Sequence, residues 1–384
     1  MKTSTATRPA PTQAAPKAGK KRLRELDFLR GLAIILVLFR HTDVAPFLTN
    51  MGWIGVDLFF VLSGYLVSGL LFREYQRSGS ISPKRFLVRR GFKIYPIYYT
   101  TYLLYLVPLI WNGDLALGGL ASDLLFFQNY HSGWGYAYAA SWSLAVEEHF
   151  YIGLALALYA GTKSGWLSSS LKSHTSPRLS RLEHCIYVLF AGCLLARFAS
   201  NLALDTHSPL NFTMTHLRLD SLLAGVLIAY LHHFKTTAFT RDFHRYKRFL
   251  IPAALLALAW TPFFDPTPSF FAKTSGFTLV AFAFSVLLCF FLLQPNINTR
   301  LDAVLARPVV NAVSSIGVCS YSIYVMHTLV NNTLHTLEQQ LAMPHYPLLF
   351  FILSSGISIG LGVVLTHRVE HYFLAVRNKY FPSR

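Results

Sequence analysis

The sequence predicts an all-α polytopic membrane protein, with about ten transmembrane helices, one re-entrant or outer-surface helix, and both termini cytoplasmic. Three observations predict it. Of 384 residues, 53% are hydrophobic and 13% charged, about half the charged share of an ordinary soluble domain. Ten apolar windows fall near the roughly 17–25 residues that cross a bilayer as a helix. The formal net charge of +17 is concentrated in a few segments that alternate with loops nearly devoid of Lys and Arg.

Taken in order, residues 1–24 are rich in Thr, Ala, Pro and Lys/Arg without periodicity, and are expected to form a disordered basic cytoplasmic tail. The apolar stretch that follows carries Asp27 and Arg30 and no small-residue cleavage site, so it is expected to stay in the mature chain. Residues 25–370 then form the membrane domain, and 371–384 a second basic cytoplasmic tail. The predicted spans are about 26–47, 54–72, 94–111, 142–161, 184–204, 217–234, 249–264, 274–293, 309–330 and 347–366. Lys and Arg cluster at 73–93, 162–183, 235–248 and 294–308, whereas 43–53, 112–141, 205–216, 265–273 and 331–346 hold Lys273 and no other Lys or Arg. That alternation satisfies the positive-inside rule only if the shorter stretch 115–129, which contains Asp123, does not cross. The bases flank spans, so the expected partner is the bilayer and not nucleic acid. Four cysteines lie in apolar stretches without metal spacing; neither disulfides nor a metal site are expected.

Ionisable residues inside spans are costly and mark function by default; headgroup snorkelling and structural pairing are the bland alternatives. Arg30 and His41 stand eleven positions apart, on one helix face but about 16 Å apart along the axis, so they cannot touch. Asp57 lies near the outer end of the second span, where Ser63-Gly64 suits close helix packing. Arg90 and Lys93 lie near the cytoplasmic end of the third, where the positive-inside rule accounts for them as well as an anion site does. Trp142-Ser-Leu-Ala-Val-Glu-Glu-His-Phe-Tyr opens the fourth span. Its Glu147 and Glu148 point about 100° apart, so one at most faces a given cavity. Arg218 and Asp220 open the sixth; an arginine on the outer side calls for a partner such as Glu147 or Asp57. His327 lies in the outer half of the ninth. Together these residues predict one cavity with a basic inner mouth (Arg30, Arg90, Lys93) and an outer chamber of His41, Asp57, Glu147, Arg218, Asp220 and His327.

The same stretches resemble the acyltransferase-3 family, integral-membrane O-acyltransferases of bacterial surface carbohydrates. Arg30 and His41 fit its Arg-x10-His signature. Gly55-Val-Asp57-Leu-Phe-Phe and Ser63-Gly-Tyr-Leu fit its second block, and Trp142-Ser-Leu with Glu147 and Phe150-Tyr151 its W-S-L-x-x-E-x-x-F-Y block. Arg218, Asp220 and Gly225 fit R-x-D-x-x-x-x-G; Tyr321, Tyr324 and His327 fit a late tyrosine-histidine block. The resemblance runs from about Arg24 to the last span. It departs at Lys93, where the family has a second arginine, so the bidentate fork is lost. It departs again after Glu370, which lacks the family's following proline. No esterase-like domain is expected beyond the last span.

The resemblance implies an enzyme of the inner (plasma) membrane that moves an acyl group, most often acetyl, from cytoplasmic acyl-CoA to a hydroxyl of a glycan or lipid-linked sugar on the outer side. Acyl-CoA is then a substrate, with no permanently bound cofactor. His41 would take the hydroxyl proton, with Glu147 orienting it or sharing the proton; Arg30, Arg90 and Lys93 would hold donor phosphates. Asp57, Trp142, Arg218, Asp220 and His327 would form the polar core on the acceptor side. Direct attack and an acyl-histidine relay both fit. The rival reading is a transporter or flippase of a lipid-linked sugar or an anion, which uses the same polar residues as a path and needs no nucleophile.

Overall fold

The computed structural model describes residues 23–172 and 179–382; the expected N-terminal tail lies almost wholly outside them. Every regular element among the described residues is helical. The helices of eight or more residues are α1 (Arg24–Arg40), α2 (Ile54–Ser78), α3 (Pro83–Asn112), α4 (Leu117–Leu124), α5 (Trp142–Lys163), α6 (Arg181–Ala203), α7 (Leu219–Phe234), α8 (Thr236–Leu258), α9 (Phe277–Leu293), α10 (Ile297–Leu305), α11 (Arg307–Val318), α12 (Ser320–Gln340), α13 (Pro347–Leu365) and α14 (His371–Tyr380).

Four helical stretches are long and apolar enough to cross a bilayer: Pro46–Ser78, Arg181–Ala203, Ala272–Leu293 and Pro347–Tyr380. The bent pair α10–α11, angled at 115°, makes a fifth if counted as one span. Helix stands at each of the ten predicted windows, but several bounds differ. The first helix ends at Arg40, and His41 is its C-cap. The Thr42 hydroxyl donates to the carbonyls of Leu38 and Phe39 there, and a separate short helix starts at Pro46. The predicted ninth span divides at Cys319 between α11 and α12. The stretch from 371, expected to be a tail, continues the last helix to Tyr380 through a π turn at Thr366–Glu370.

The segment 115–129 contains α4, eight residues long, about 12 Å of helix and too short to cross. Its acid is fully enclosed and satisfied: Asp123 accepts from the Tyr102 hydroxyl (3.0 Å) and from the backbone N–H groups of Tyr136 and Ala137 (2.9 Å each). Asp123 thus pins the long 113–141 connection onto α3.

Two glycine-mediated crossings set the frame. α2 and α7 meet at Gly64 and Gly225: a Cβ at Gly64 would sit 2.0 Å from the Leu222 carbonyl, and one at Gly225 2.2 Å from that of Val61. α1 and α11 meet the same way, at Gly31 against Val313 and at Gly317 against the Asp27 carbonyl. Small residues let backbones approach where apolar burial cannot discriminate protein from lipid. These crossings join α2 to α7 and α1 to α11, and Gly55 against the Ala33 carbonyl brings α1 to α2; the polar residues lie between these helices and α3, α5 and α12.

Candidate functional site

The site has three parts. The first is a cavity of about 140 Å³ lined by Arg30, Arg90, Lys93, Glu147, Ser143 and Tyr324, with apolar walls including Val56, Phe59 and Phe60. Arg30 projects from α1, and Arg90 and Lys93 lie one turn apart on α3. Arg90 donates to the Tyr151 hydroxyl (2.5 Å) with its guanidinium 4.3 Å from that ring's centre, and Tyr151 in turn contacts Ser63 (2.5 Å). Lys93 pairs with Glu370 at 3.5 Å. Glu147 and Glu148 separate as the helix geometry predicts: Glu147 faces the cavity, while Glu148 accepts from Tyr95 (3.0 Å).

The cavity opens into the second part, a basin of about 530 Å³ lined by Arg73, Arg77, Arg85, Arg89 and Arg377 besides Arg90 and Lys93, with Glu74 the acid among its lining residues. Arg90, Lys93 and Leu66 line both spaces. The C-terminal segment closes one side, with Arg85 and Arg89 donating to the carbonyls of Pro382 and Phe381.

The third part is a histidine pair. The rings of His41 and His327 lie 4.9 Å apart, centre to centre. His41 is solvent-exposed and its carbonyl accepts from Asn331 (3.0 Å). His327 is fully buried; its Nδ1 meets the Tyr324 carbonyl at 2.5 Å, and its Nε2 has no hydrogen-bond partner. A carbonyl can only accept, so Nδ1 carries a proton, and in the neutral form of His327 Nε2 is left bare to accept one. Tyr324 links the pair to the cavity. It lines the cavity, its ring lies 5.3 Å from that of His327, and its hydroxyl contacts Ser143 (2.7 Å).

The predicted single outer chamber is therefore divided. Glu147 keeps company with the basic cavity residues, and the ring beside His41 is His327. Asp57, Arg218 and Asp220 form a closed network instead. One Arg218 terminal nitrogen donates to both Asp57 oxygens at 2.9 Å, and Ser221 adds a third bond to Asp57. Arg218 is capped by Phe277, 3.7 Å from its guanidinium carbon to the ring centre, and by Trp142 at 5.5 Å. Asp220 pairs with Arg197 at 2.7 Å, and Arg197 also donates to Thr278. All four charged groups are at most 2% exposed at the side chain. With charges opposed and solvent excluded, this is a scaffold of fixed geometry behind the cavity wall.

A family model described as an acyltransferase domain, the acyltransferase-3 model, matches residues 23–367. The chain belongs to the acyltransferase-3 family. Among its relatives, it is 31% identical over 148 residues to the peptidoglycan O-acetyltransferase OatA of Listeria monocytogenes, covering 35% of this chain and 24% of that one. It is 28% identical over 225 residues to a Staphylococcus aureus (strain COL) protein whose name marks it as an inferred O-acetyltransferase, covering 54% and 34%. It is 35% identical over 150 residues to BcsY of Komagataeibacter xylinus, similarly named as an inferred membrane-bound transacylase, covering 34% and 36%. The chain thus spans about a quarter to a third of these relatives' lengths. No solved structure matches it.

In this acyltransferase-3 chain the family motifs acquire separate physical duties. The tryptophan of W-S-L caps Arg218, while its serine holds Tyr324. In R-x-D-x-x-x-x-G, the arginine and aspartate take opposite partners and the glycine admits α2. Sequence reasoning missed Arg197 and Glu370 as members of the polar core, although an arginine amid the apolar fifth span was a visible signal. It assigned Arg73, Arg77, Arg85 and Arg89 to topology alone; only the fold gathers them, with Arg377, around Arg90 and Lys93.

Proposed function

We propose that the chain is a membrane-embedded O-acyltransferase. It moves an acyl group, most often acetyl, from acyl-CoA at the basic basin to a hydroxyl of a glycan or lipid-linked sugar on the opposite side. The observation that carries this is a graded path: a wide, cationic basin narrows into a small polar cavity, which leads through Tyr324 to paired histidines. A phosphate-rich nucleotide suits the basin, where several guanidiniums offer charge-assisted bonds. At about 140 Å³ the inner cavity holds the space of a few waters at about 30 Å³ each, which suits the slim thioester arm and not the nucleotide.

The basin faces the cytoplasm in this reading, as the positive-inside pattern supports, and the chain lies multi-pass in the inner membrane with both ends inside. His41 takes the acceptor hydroxyl proton while that oxygen attacks the thioester carbonyl. The carbon–sulfur bond breaks as the ester forms, and the thiolate leaves as coenzyme A. His327, whose ring lies 4.9 Å from that of His41 and whose Nε2 has no hydrogen-bond partner, is assigned to steady the proton on His41. The name of the Listeria relative makes a cell-wall glycan the first acceptor class to test.

The test is purified full-length protein in detergent with radiolabelled acetyl-CoA and soluble peptidoglycan fragments. Acceptor-dependent coenzyme A release with label appearing in the glycan is the expected result. His41→Ala is expected to lower kcat by about 10²–10⁴ without shifting the melting temperature. Normal transfer by folded His41→Ala protein refutes the base assignment; absence of any release over a panel of cell-wall glycans refutes the acceptor class.

A further inference from the structure

We infer a divalent transition-metal site, with Zn²⁺ the best-fitting ion, formed by His335, Glu338 and His345 at the end of α12 remote from the catalytic cavity. No metal spacing is visible in the sequence, because His345 comes from the loop after the helix. In the fold the donor atoms of the three residues all lie within 4.8 Å of one another. Both imidazoles turn Nδ1 toward the same Glu338 oxygen, at 3.4 Å from His335 and 3.0 Å from His345. In a tetrahedral zinc site with bonds of about 2.0–2.1 Å, neighbouring donors stand about 3.3 Å apart. The two His–Glu separations, 3.4 and 3.0 Å, straddle that value. Two histidines and a carboxylate leave one position for water, and imidazole favours zinc and its neighbours over Mg²⁺ or Ca²⁺.

The surroundings hold the ligands in place. Phe350, buried at the start of α13, stacks on His335 with ring centres 4.1 Å apart and lies 5.3 Å from His345. The loop turns back at Ala342, which adopts a left-handed φ of 49°, while Met343 donates to the Glu338 carbonyl (2.9 Å). A non-glycine residue held there carries backbone strain, which persists when neighbours over-determine the conformation. The turn is what returns His345 to the helix. The cluster is exposed on its outer side, so an ion can reach it. His335 lies two helical turns beyond His327 on α12, so a bound ion would clamp α12 to the loop leading into α13, about 12 Å along the helix from His327.

The experiment uses full-length protein in detergent, purified without a histidine tag and treated with chelator. It is titrated with ZnCl₂ by calorimetry and with CoCl₂ by visible absorption. One equivalent of Zn²⁺ in the micromolar range, tetrahedral ligand-field bands with Co²⁺, and a Zn²⁺-dependent rise in melting temperature are expected. Glu338→Gln, and His335→Ala combined with His345→Ala, should weaken binding at least about 10-fold and abolish the rise. Because these positions are peripheral, circular dichroism and the chelated melting temperature check folding of each variant. Stoichiometric binding that both variants retain places the ion elsewhere and overturns the site. A wild-type protein that binds no Zn²⁺ overturns it too, leaving a hydrogen-bonded clasp only.

Discussion

At the scale of single residues, the buried charges divide into those that hold and those that act. Asp57 and Arg218 hold, since each is about 1% exposed and is paired with the other. Removing one partner strands the other away from water. Arg218→Met is therefore expected to cost about 3–5 kcal/mol, read as a large drop in melting temperature in detergent. The double variant Asp57→Leu with Arg218→Met should melt above either single variant. The proposed function puts Lys93 with those that act: on that reading Lys93→Met should raise KM for the acyl donor by an order of magnitude while leaving acceptor KM unchanged. The sequence already singled out Arg30 and Glu147, because charged residues in apolar windows are conspicuous, and Arg90 and Lys93 at the border of the third window, through the family resemblance. It named Asp57 among two partners for Arg218 but could not choose, since ion pairing across more than 150 residues depends on how helices are placed. Glu370 and the His41–His327 pairing were hidden for the same reason.

At the scale of elements, the contacts that matter are backbone approaches. Gly64→Val would press a branched side chain into the Leu222 carbonyl, and is expected to destabilise by about 1–3 kcal/mol or more and to lower activity with it. Gly153 is the control. It lies on the outer face of α5 with open space around its Cβ position, so Gly153→Ala should leave the melting temperature unchanged or slightly raised, as alanine favours helix. Helices were legible where hydropathy is continuous, as in α2 and α13. Breaks at Arg40 and Cys319 and the π turns at 272–276 and 366–370 were not, because no proline marks them. The Asp123 connection was legible indirectly, through the charge alternation that forbade a crossing.

For the whole molecule, the proposed function makes donor capture at the cationic basin electrostatic. KM for acyl-CoA should rise with ionic strength, because screening weakens a cationic surface for an anion, and kcat should hold. Arg89→Ala with Arg377→Ala should raise that KM several-fold and flatten its salt dependence. The C-terminal helix takes part in this architecture: Glu370 meets Lys93, and the carbonyls of Phe381 and Pro382 receive Arg89 and Arg85. A practical consequence concerns reporters. A fluorescent protein or purification handle fused just after Pro382 would be tethered at the lip of the basin, where, under the proposed function, its bulk competes with the incoming nucleotide. Activity lost by such a fusion would be steric, and a long flexible spacer should restore it.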